Sequence, residues 1–247
     1  MPRTRNLYRP NSEKPFRLSR SKVDLYLNCP RCFYLDRKLG VGRPAGFPFN
    51  LNNAVDVLLK KEFDKYRDSG KPHHYMKFNG IDAIPFKHAE LNNWRNNFKG
   101  VSHHYPGSNL ELHGAVDDIW ISNKSGKLIV VDYKATSKEG DVSIDAEWQI
   151  SYKRQIEFYQ WLLRRNGFEV SDTGYFVYCN AKKDSDRFRA RMNFTVRLLA
   201  YTGNDGWVDG TIRDIHTVLL GDRIPDRKDG CEHCKYIADA HSVVGEN

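Results

Sequence analysis

The apolar run Leu128-Ile129-Val130-Val131 leads straight into Asp132-Tyr133-Lys134, and this junction constrains the chain more than any other stretch. A run of that kind reads as a buried strand, where an unpaired charge is expensive. Strand residues two apart share a face, so Asp132 and Lys134 project together. Upstream, Leu112-His113-Gly114-Ala115-Val116-Asp117-Asp118-Ile119-Trp120-Ile121 ends at the turn-rich Ser122-Asn123-Lys124-Ser125-Gly126. Two strand-like runs so closely joined predict an antiparallel hairpin. If its turn centres between Lys124 and Ser125, Asp117 falls directly opposite Asp132, with Cβ atoms roughly 4.5–5.5 Å apart. Like charges so placed repel, and burial adds to the cost. A divalent cation removes the difficulty, since Mg²⁺ and Mn²⁺ favour carboxylate oxygens. A pair of hydrogen-bonded structural aspartates is the alternative that the hairpin alone leaves open. Asp-x-Lys also occurs at Asp36-Arg37-Lys38 and Asp226-Arg227-Lys228, but in polar surroundings that predict solvated surface.

The segment Trp148 to Arg165 carries Ile150, Ile156, Phe158, Tyr159, Trp161, Leu162 and Leu163 with few breakers, which predicts a helix. Gln155 and Tyr159 lie four apart and share a face of it. Gly114-Ala115-Val116-Asp117, Val131-Asp132-Tyr133-Lys134 and Gln155-Ile156-Glu157-Phe158-Tyr159, in that order, resemble the RecB-like branch of the PD-(D/E)XK nuclease superfamily. That branch includes the CRISPR-adaptation exonucleases and the nuclease domain of AddB. Leu18 to Val23 followed by Tyr26-Leu27-Asn28-Cys29-Pro30-Arg31 looks like the branch's opening helix, so the resemblance spans residues 16–236.

The resemblance implies a restriction-endonuclease-like α/β fold, a mixed central sheet flanked by helices. It implies that Asp117 and Asp132 hold Mg²⁺ or Mn²⁺ with the main-chain carbonyl of Tyr133, and that the ion acidifies a water and neutralises the scissile phosphate. Lys134 would orient or deprotonate that water, or offset charge in the transition state. Gln155 and Tyr159 would position the strand or the motif around the metal; a surface amide and a core tyrosine are the plainer reading of these two. Relatives carry a further histidine ligand on an earlier helix, here Leu51 to Tyr66, which has none. Asp56 flanks its apolar stripe at about that place and is a candidate substitute, or else a solvated aspartate. His73, His74, His103 and His104 fall in polar sequence and are expected on the surface, while His113 adjoins the Gly114 motif.

Four of the five cysteines form two Cys-x-x-Cys pairs, Cys29/Cys32 and Cys231/Cys234, a spacing that delivers two thiolates to one ion. With no signal peptide or long apolar span, a reducing, cytoplasmic setting is expected, which disfavours disulfides. One site shared by both pairs would join the terminal segments of the domain. Four thiolates suit Zn²⁺ or a [4Fe–4S] cluster. The resembled relatives hold an iron–sulfur cluster with one cysteine before the core and three after, and the Cys-Pro-Arg context at Cys29 tips the expectation to iron–sulfur. The split of two and two departs from that pattern. Cys179, in a strand-like segment, reads as a core residue.

The formal net charge of +8 suits a polyanionic partner. Residues 1–15, with Arg3, Arg5 and Arg9, read as a flexible basic arm, 16–236 as the nuclease domain and 237–247 as a tail. Lys153, Arg154, Arg164 and Arg165 would either track a nucleic-acid backbone or sit in solvent, and Lys182 to Arg191 reads as a basic loop between strands. No ATP-binding phosphate loop is present, so a helicase partner is compatible with the chain. The expectation is a metal-dependent DNA nuclease acting on single strands or ends, exonucleases among its relatives, in repair, recombination or foreign-DNA processing. A non-catalytic nucleic-acid-binding module of the same fold is the alternative, and a cysteine-based redox sensor a third reading.

Overall fold

The computed structural model describes residues 2–245; Met1 of the expected arm and Glu246 and Asn247 of the expected tail lie outside the described residues. The chain divides into two compact units interleaved in sequence. The first comprises the chain up to Phe47, His103–His113 and Gly206 onward; the second comprises Pro48–Ser102 and Gly114–Asp205.

In chain order the strands are β1 (Phe16–Ser19), β2 (Ala83–Pro85), β3 (Val101–His104), β4 (Leu110–Gly114), β5 (Asp118–Ser122), β6 (Leu128–Thr136), β7 (Thr173–Ala181) and β8 (Phe194–Thr202). The helices are α1 (Arg20–Asn28), α2 (Pro30–Arg37), α3 (Asn50–Ser69), α4 (His74–Phe78), α5 (Leu91–Trp94), α6 (Ile150–Arg165), α7 (Trp207–Leu220) and α8 (Glu232–Val244). One sheet has the order β1-β4-β3 and the other β2-β5-β6-β7-β8. Leu18 and Ser19, expected within the opening helix, end β1 instead, and α1 starts at Arg20.

The five-stranded sheet is mixed: β5 and β6 pair antiparallel, β6 and β7 parallel, β7 and β8 antiparallel. Parallel neighbours need a crossover, and α6 supplies it between β6 and β7. From Ile156 to Leu163 every residue of α6 is buried. Its close approach to the sheet depends on Gly174, where a Cβ would stand 2.8 Å from both Ile156 Cγ2 and the Val130 carbonyl oxygen. Apolar on both faces, β6 is buried from Leu128 to Tyr133, as a central strand should be. Phe63 of α3 stacks on Trp120 of β5 at 5.6 Å, within a core that includes Leu59, Val131, Tyr133, Val177 and Cys179.

The hairpin register is the expected one, with Asp118 opposite Val131 and Ile119 opposite Val130. The run from Leu112 to Ile121 is not one strand, however. It breaks between Gly114 and Asp118, leaving Asp117 just before β5. The Val116 N–H is taken by the Trp94 carbonyl at 3.1 Å, outside any strand ladder. Beside the break, Gly100 has φ +68°, and a Cβ there would meet the Gly114 carbonyl oxygen at 2.6 Å.

In the first unit the segment expected as a flexible arm is anchored. Tyr8 is buried edge-on to Phe16, and Arg3 ion-pairs with the buried Asp36 at 2.6 Å. Lys22 and Arg37 reach the same carboxylate at 2.8 and 2.9 Å. Burial raises the Asp36 pKa, but these three cations outweigh it and hold the carboxyl well below the usual carboxylate range. Asp36 is therefore a buried hub and not the solvated residue its polar sequence predicts. Past residue 236 the expected tail continues as α8 to Val244. Among the described residues no helix is long and apolar enough to cross a membrane.

Candidate active site

The acidic site is built wholly within the second unit. Asp132 is fully buried on β6, and its Oδ1 accepts a hydrogen bond of 2.7 Å from Gln155 Nε2 on α6. The same amide nitrogen lies 3.4 Å from the Tyr159 hydroxyl, one helical turn on. Lys134 ion-pairs with Asp132 Oδ2, as residues two apart on a strand can, and its ammonium lies 4.5 Å from the centre of the Tyr152 ring. Asp117 Oδ2 accepts the Tyr133 N–H at 3.0 Å, taking a strand donor left over where β5 has ended. In an extended strand a residue's N–H and C=O face the same edge, so the Tyr133 carbonyl faces the edge where Asp117 stands.

From α3, Asp56 and Lys60 face the same cavity, about 370 Å³ in volume, which Asp117, Lys134 and Tyr152 also line. Lys60 Nζ lies 2.8 Å from Asp56 Oδ2 and 3.3 Å from Asp117 Oδ1. Of the expected site residues, Asp56, Asp117, Tyr133 and Lys134 line the cavity. Asp132, Gln155 and Tyr159 do not line it but join Lys134 through hydrogen bonds and an ion pair, and His113 does not line it.

These groups set one another's charge. Burial raises Asp117, but Lys60, Lys134 and the Tyr133 N–H outweigh it and hold its carboxyl below the ordinary value. Burial raises Asp132 and Lys134 opposes it, yet the Asp117 charge adds to burial and the net shift is upward. Asp56 is raised by burial and by Asp117. Burial pulls Lys134 down, and Asp132 and Asp117 more than restore it, so it stays an ammonium. With every group ionised, three carboxylates face two ammonium groups, and the upward shifts of Asp132 and Asp56 relieve that one excess negative charge by favouring the protonated acids. Asp56 Oδ1 is buried without a hydrogen-bond donor, and Asp132 Oδ2, equally buried, is met by the Lys134 ammonium. An orphaned carboxylate oxygen among three clustered carboxyl groups and a nearby carbonyl suits a hard divalent cation, so Asp117, Asp132, the Tyr133 carbonyl and Asp56 fit Mg²⁺ or Mn²⁺.

Behind Asp117, the neighbouring Asp118 points the other way, as strand alternation requires, and is fully buried. It ion-pairs with Arg67, accepts from Arg95 at 2.8 Å and accepts the Tyr133 hydroxyl at 2.7 Å. Both arginines also hold Asp64, at 2.7 and 2.8 Å. This network fixes β5, β6 and α3 around the cavity. Sequence reasoning did not single out Lys60, Tyr152 or Asp118. Tyr152 carried a signal, one turn before Gln155 on the same helix, whereas Lys60 offered only its place one turn beyond Asp56. The arginine partners of Asp118 carried none.

Other expectations resolve differently. His73 is buried, not on the surface; it stacks on Phe63 at 4.2 Å and its Nε2 meets Glu62 at 2.9 Å. Glu62, His73 and His74 lie close enough together for a metal. Yet His73 Nδ1 accepts the Tyr75 N–H, so Nε2 carries the ring proton and offers no lone pair to an ion. Arg164 ion-pairs with Asp172 at 2.6 Å and Asp205 at 2.5 Å, partners within its own unit.

The cysteine pairs lie in the first unit. Cys29 caps α2 and Cys231 caps α8, and each second cysteine falls in the following turn. Sγ–Sγ distances are 3.8 Å for Cys29–Cys234, 3.7 Å for Cys32–Cys231 and 3.6 Å for Cys32–Cys234. Arg43 Nη2 donates to Cys231 Sγ at 3.4 Å. Burial raises the Cys29 thiol, but the N–H groups of Lys228 and Cys32 and the adjacent thiols bring it down to about 6. Cys179 is buried in the second unit's core, as its strand context predicts.

A family model described as the PD-(D/E)XK nuclease superfamily matches residues 51–238. No curated protein matches the chain. Among solved structures, the crystal structure of SSO0001 is similar over 95% of this chain and 87% of its own, at 15% identity and a TM-score of 0.38.

Proposed function

The chain belongs to the PD-(D/E)XK nuclease superfamily, and from that premise we propose that it is a Mg²⁺- or Mn²⁺-dependent deoxyribonuclease of the RecB-like branch. What supports the reading is the buried Asp56 Oδ1, left without a donor in a cavity that Asp117 and Lys134 also line, with the buried Asp132 ion-paired to Lys134. A bound divalent cation supplies Lewis-acid charge at the phosphate and lowers the pKa of a water. The remaining work falls to side chains. Gln155 fixes the rotation of Asp132, and the Tyr133 N–H fixes that of Asp117. Lys134, seated on Tyr152, orients the attacking water and offsets charge on the phosphate as the P–O bond to the leaving strand breaks. Tyr159, hydrogen-bonded to Gln155, is a positioning residue.

Single strands or ends are the favoured substrates in this reading. Trp148, 64% exposed, stands edge-to-face on Tyr152 at 5.4 Å and offers its indole to an unstacked base. Repair, recombination or foreign-DNA processing in the cytoplasm, beside a helicase, are the settings that such a substrate suits. The test is hydrolysis of end-labelled single- and double-stranded DNA with Mg²⁺ or Mn²⁺. Asp132→Ala and Lys134→Ala should each lower the rate by about 10³-fold or more, roughly 4 kcal/mol of barrier. Cleavage that survives Asp132→Ala would remove that residue from the mechanism.

Lys60 favours a second reading, a nuclease-like module that binds without cutting. Its ammonium already bridges Asp56 and Asp117, compensating charge that would otherwise call for a cation. Salt-dependent DNA binding with no cleavage under any divalent ion would decide for the module.

A further inference from the structure

We propose that Cys29, Cys32, Cys231 and Cys234 hold a single tetrahedral Zn²⁺, and that the iron–sulfur cluster implied by the resembled branch does not fit them. Size separates the two. Four sulfurs bound to one zinc at about 2.3 Å stand at the corners of a tetrahedron with edges of about 3.8 Å. The Sγ–Sγ distances of 3.6, 3.7 and 3.8 Å match that edge. All four sulfurs lie within 4.8 Å of one another, so none of the other separations opens the set. In a [4Fe–4S] cubane each thiolate bonds a different iron at a different corner. Its sulfurs must stand apart by at least the iron–iron edge plus the outward splay of two iron–sulfur bonds, well beyond the spacing here.

The backbone supports the same assignment. The two pairs are built alike, since Cys29 and Cys231 each occupy the cap position of a helix with the partner cysteine in its first turn. Each helix therefore aims the positive end of its dipole at the sulfurs. The Cys29 and Cys231 carbonyls accept from Phe33 and Lys235 at 3.1 and 2.9 Å, closing each first turn around its thiols. Two equivalent bidentate arms suit one ion shared symmetrically. Zinc is chosen over a lone ferrous ion because it stands above Fe²⁺ in the affinity order for the same donors.

Four thiolates around Zn²⁺ leave two negative charges, and Arg43 is placed to offset one. Its Nη2 donates to Cys231 Sγ at 3.4 Å, and it is charged at any physiological pH. Arg43 is thus a positioning residue of the metal site, acting on the ion through its ligands.

The experiment uses the full chain, purified anaerobically from cells supplied with both iron and zinc. Elemental analysis should give one zinc per chain with negligible iron and acid-labile sulfide. Titration with a mercurial thiol reagent should release that zinc, which separates it from any held by carboxylates. Replacement by Co²⁺ should produce the visible bands of a tetrahedral thiolate site. Arg43→Ala should keep the zinc but lose it to a chelator roughly tenfold more readily, with Arg43→Lys partly restoring retention. Iron with equimolar sulfide, iron alone, or a folded chain with no thiol-bound metal would each overturn the assignment. An Arg43→Ala variant that holds zinc as tightly as wild type would overturn the role of Arg43. None of these readouts involves DNA cleavage, so they stand or fall apart from the nuclease reading.

Discussion

The carboxylate cavity and the cysteine cluster both concentrate potential negative charge, but they balance it with different partners. At the cavity and directly behind it, Asp56, Asp117 and Asp132 meet two cations of the chain itself, Lys60 and Lys134. Around the four sulfurs the chain supplies one guanidinium, from Arg43, at the edge of the set. The cavity is thus nearly neutral by itself and can keep its shape while a catalytic ion comes and goes. The cluster is not, and its geometry has a cause only when an ion fills it. A site for exchangeable chemistry carries its own counter-ions; a site for architecture leaves that role to the metal.

Removing the ion from the cluster should be the largest way to break this contrast. Cys234→Ser should cost about 5 kcal/mol, the value expected for losing a cross-link that closes some 200 residues. Thermal melting with and without a chelator checks this: wild type should fall to the variant's level when chelated, whereas the variant should not respond. A smaller effect is expected from making the cavity resemble the cluster. Lys60→Met leaves Asp56 and Asp117 without their shared ammonium and should destabilise by about 2 kcal/mol at neutral pH. Millimolar Mn²⁺ should then raise the melting temperature of Lys60→Met more than that of wild type. Equal shifts would mean that Lys60 does not stand in for the cation.

The smallest effect sharpens the contrast through pH. Asp132 has a folded pKa above its unfolded value, so between the two the folded state binds the extra proton and stability falls as pH rises. Asp132→Asn should therefore gain on the order of 1 kcal/mol at neutral pH, and denaturant titrations should lose that slope. Asp117 has the opposite sign: its depressed pKa contributes stability above the ordinary carboxylate value, lost only as pH falls through the folded pKa. A more stable Asp132→Asn that no longer cuts would show a catalytic carboxylate kept at a cost in stability.

Local pattern made some of this legible. The turn at Ser122–Gly126 and the apolar runs on either side of it set the β5–β6 register, because a one-residue slip would turn Val131 and Tyr133 away from Phe63 and Trp120 and bring Asp132 to that face. Cysteine spacing paired the thiols in the same way. What stayed hidden depends on residues far apart in sequence. The break at Gly114–Asp117 follows from a hydrogen bond to Trp94, which hydrophobic periodicity does not encode. Asp36 reads as surface until Arg3 and Lys22 are seen to reach it, and His73 reads as loop until Phe63 is seen beneath its ring. Lys60 was written one turn from Asp56, but a lysine on an amphipathic helix carries no sign of whether it meets water or a carboxylate.

The order of the first unit's segments has a bearing on synthesis. Its two cysteine pairs flank the entire second unit in sequence, with Cys32 and Cys234 separated by 202 positions. At ribosomal rates of about 5–20 residues per second, roughly 10–40 s pass between the emergence of the two. All of Pro48–Asp205 has left the ribosome before the second pair appears, so the nuclease core can fold while Cys29 and Cys32 still wait as an incomplete ligand set. Metal capture is then a late event in the life of the nascent chain, and a cell short of that metal would accumulate molecules with a finished core and an open first unit.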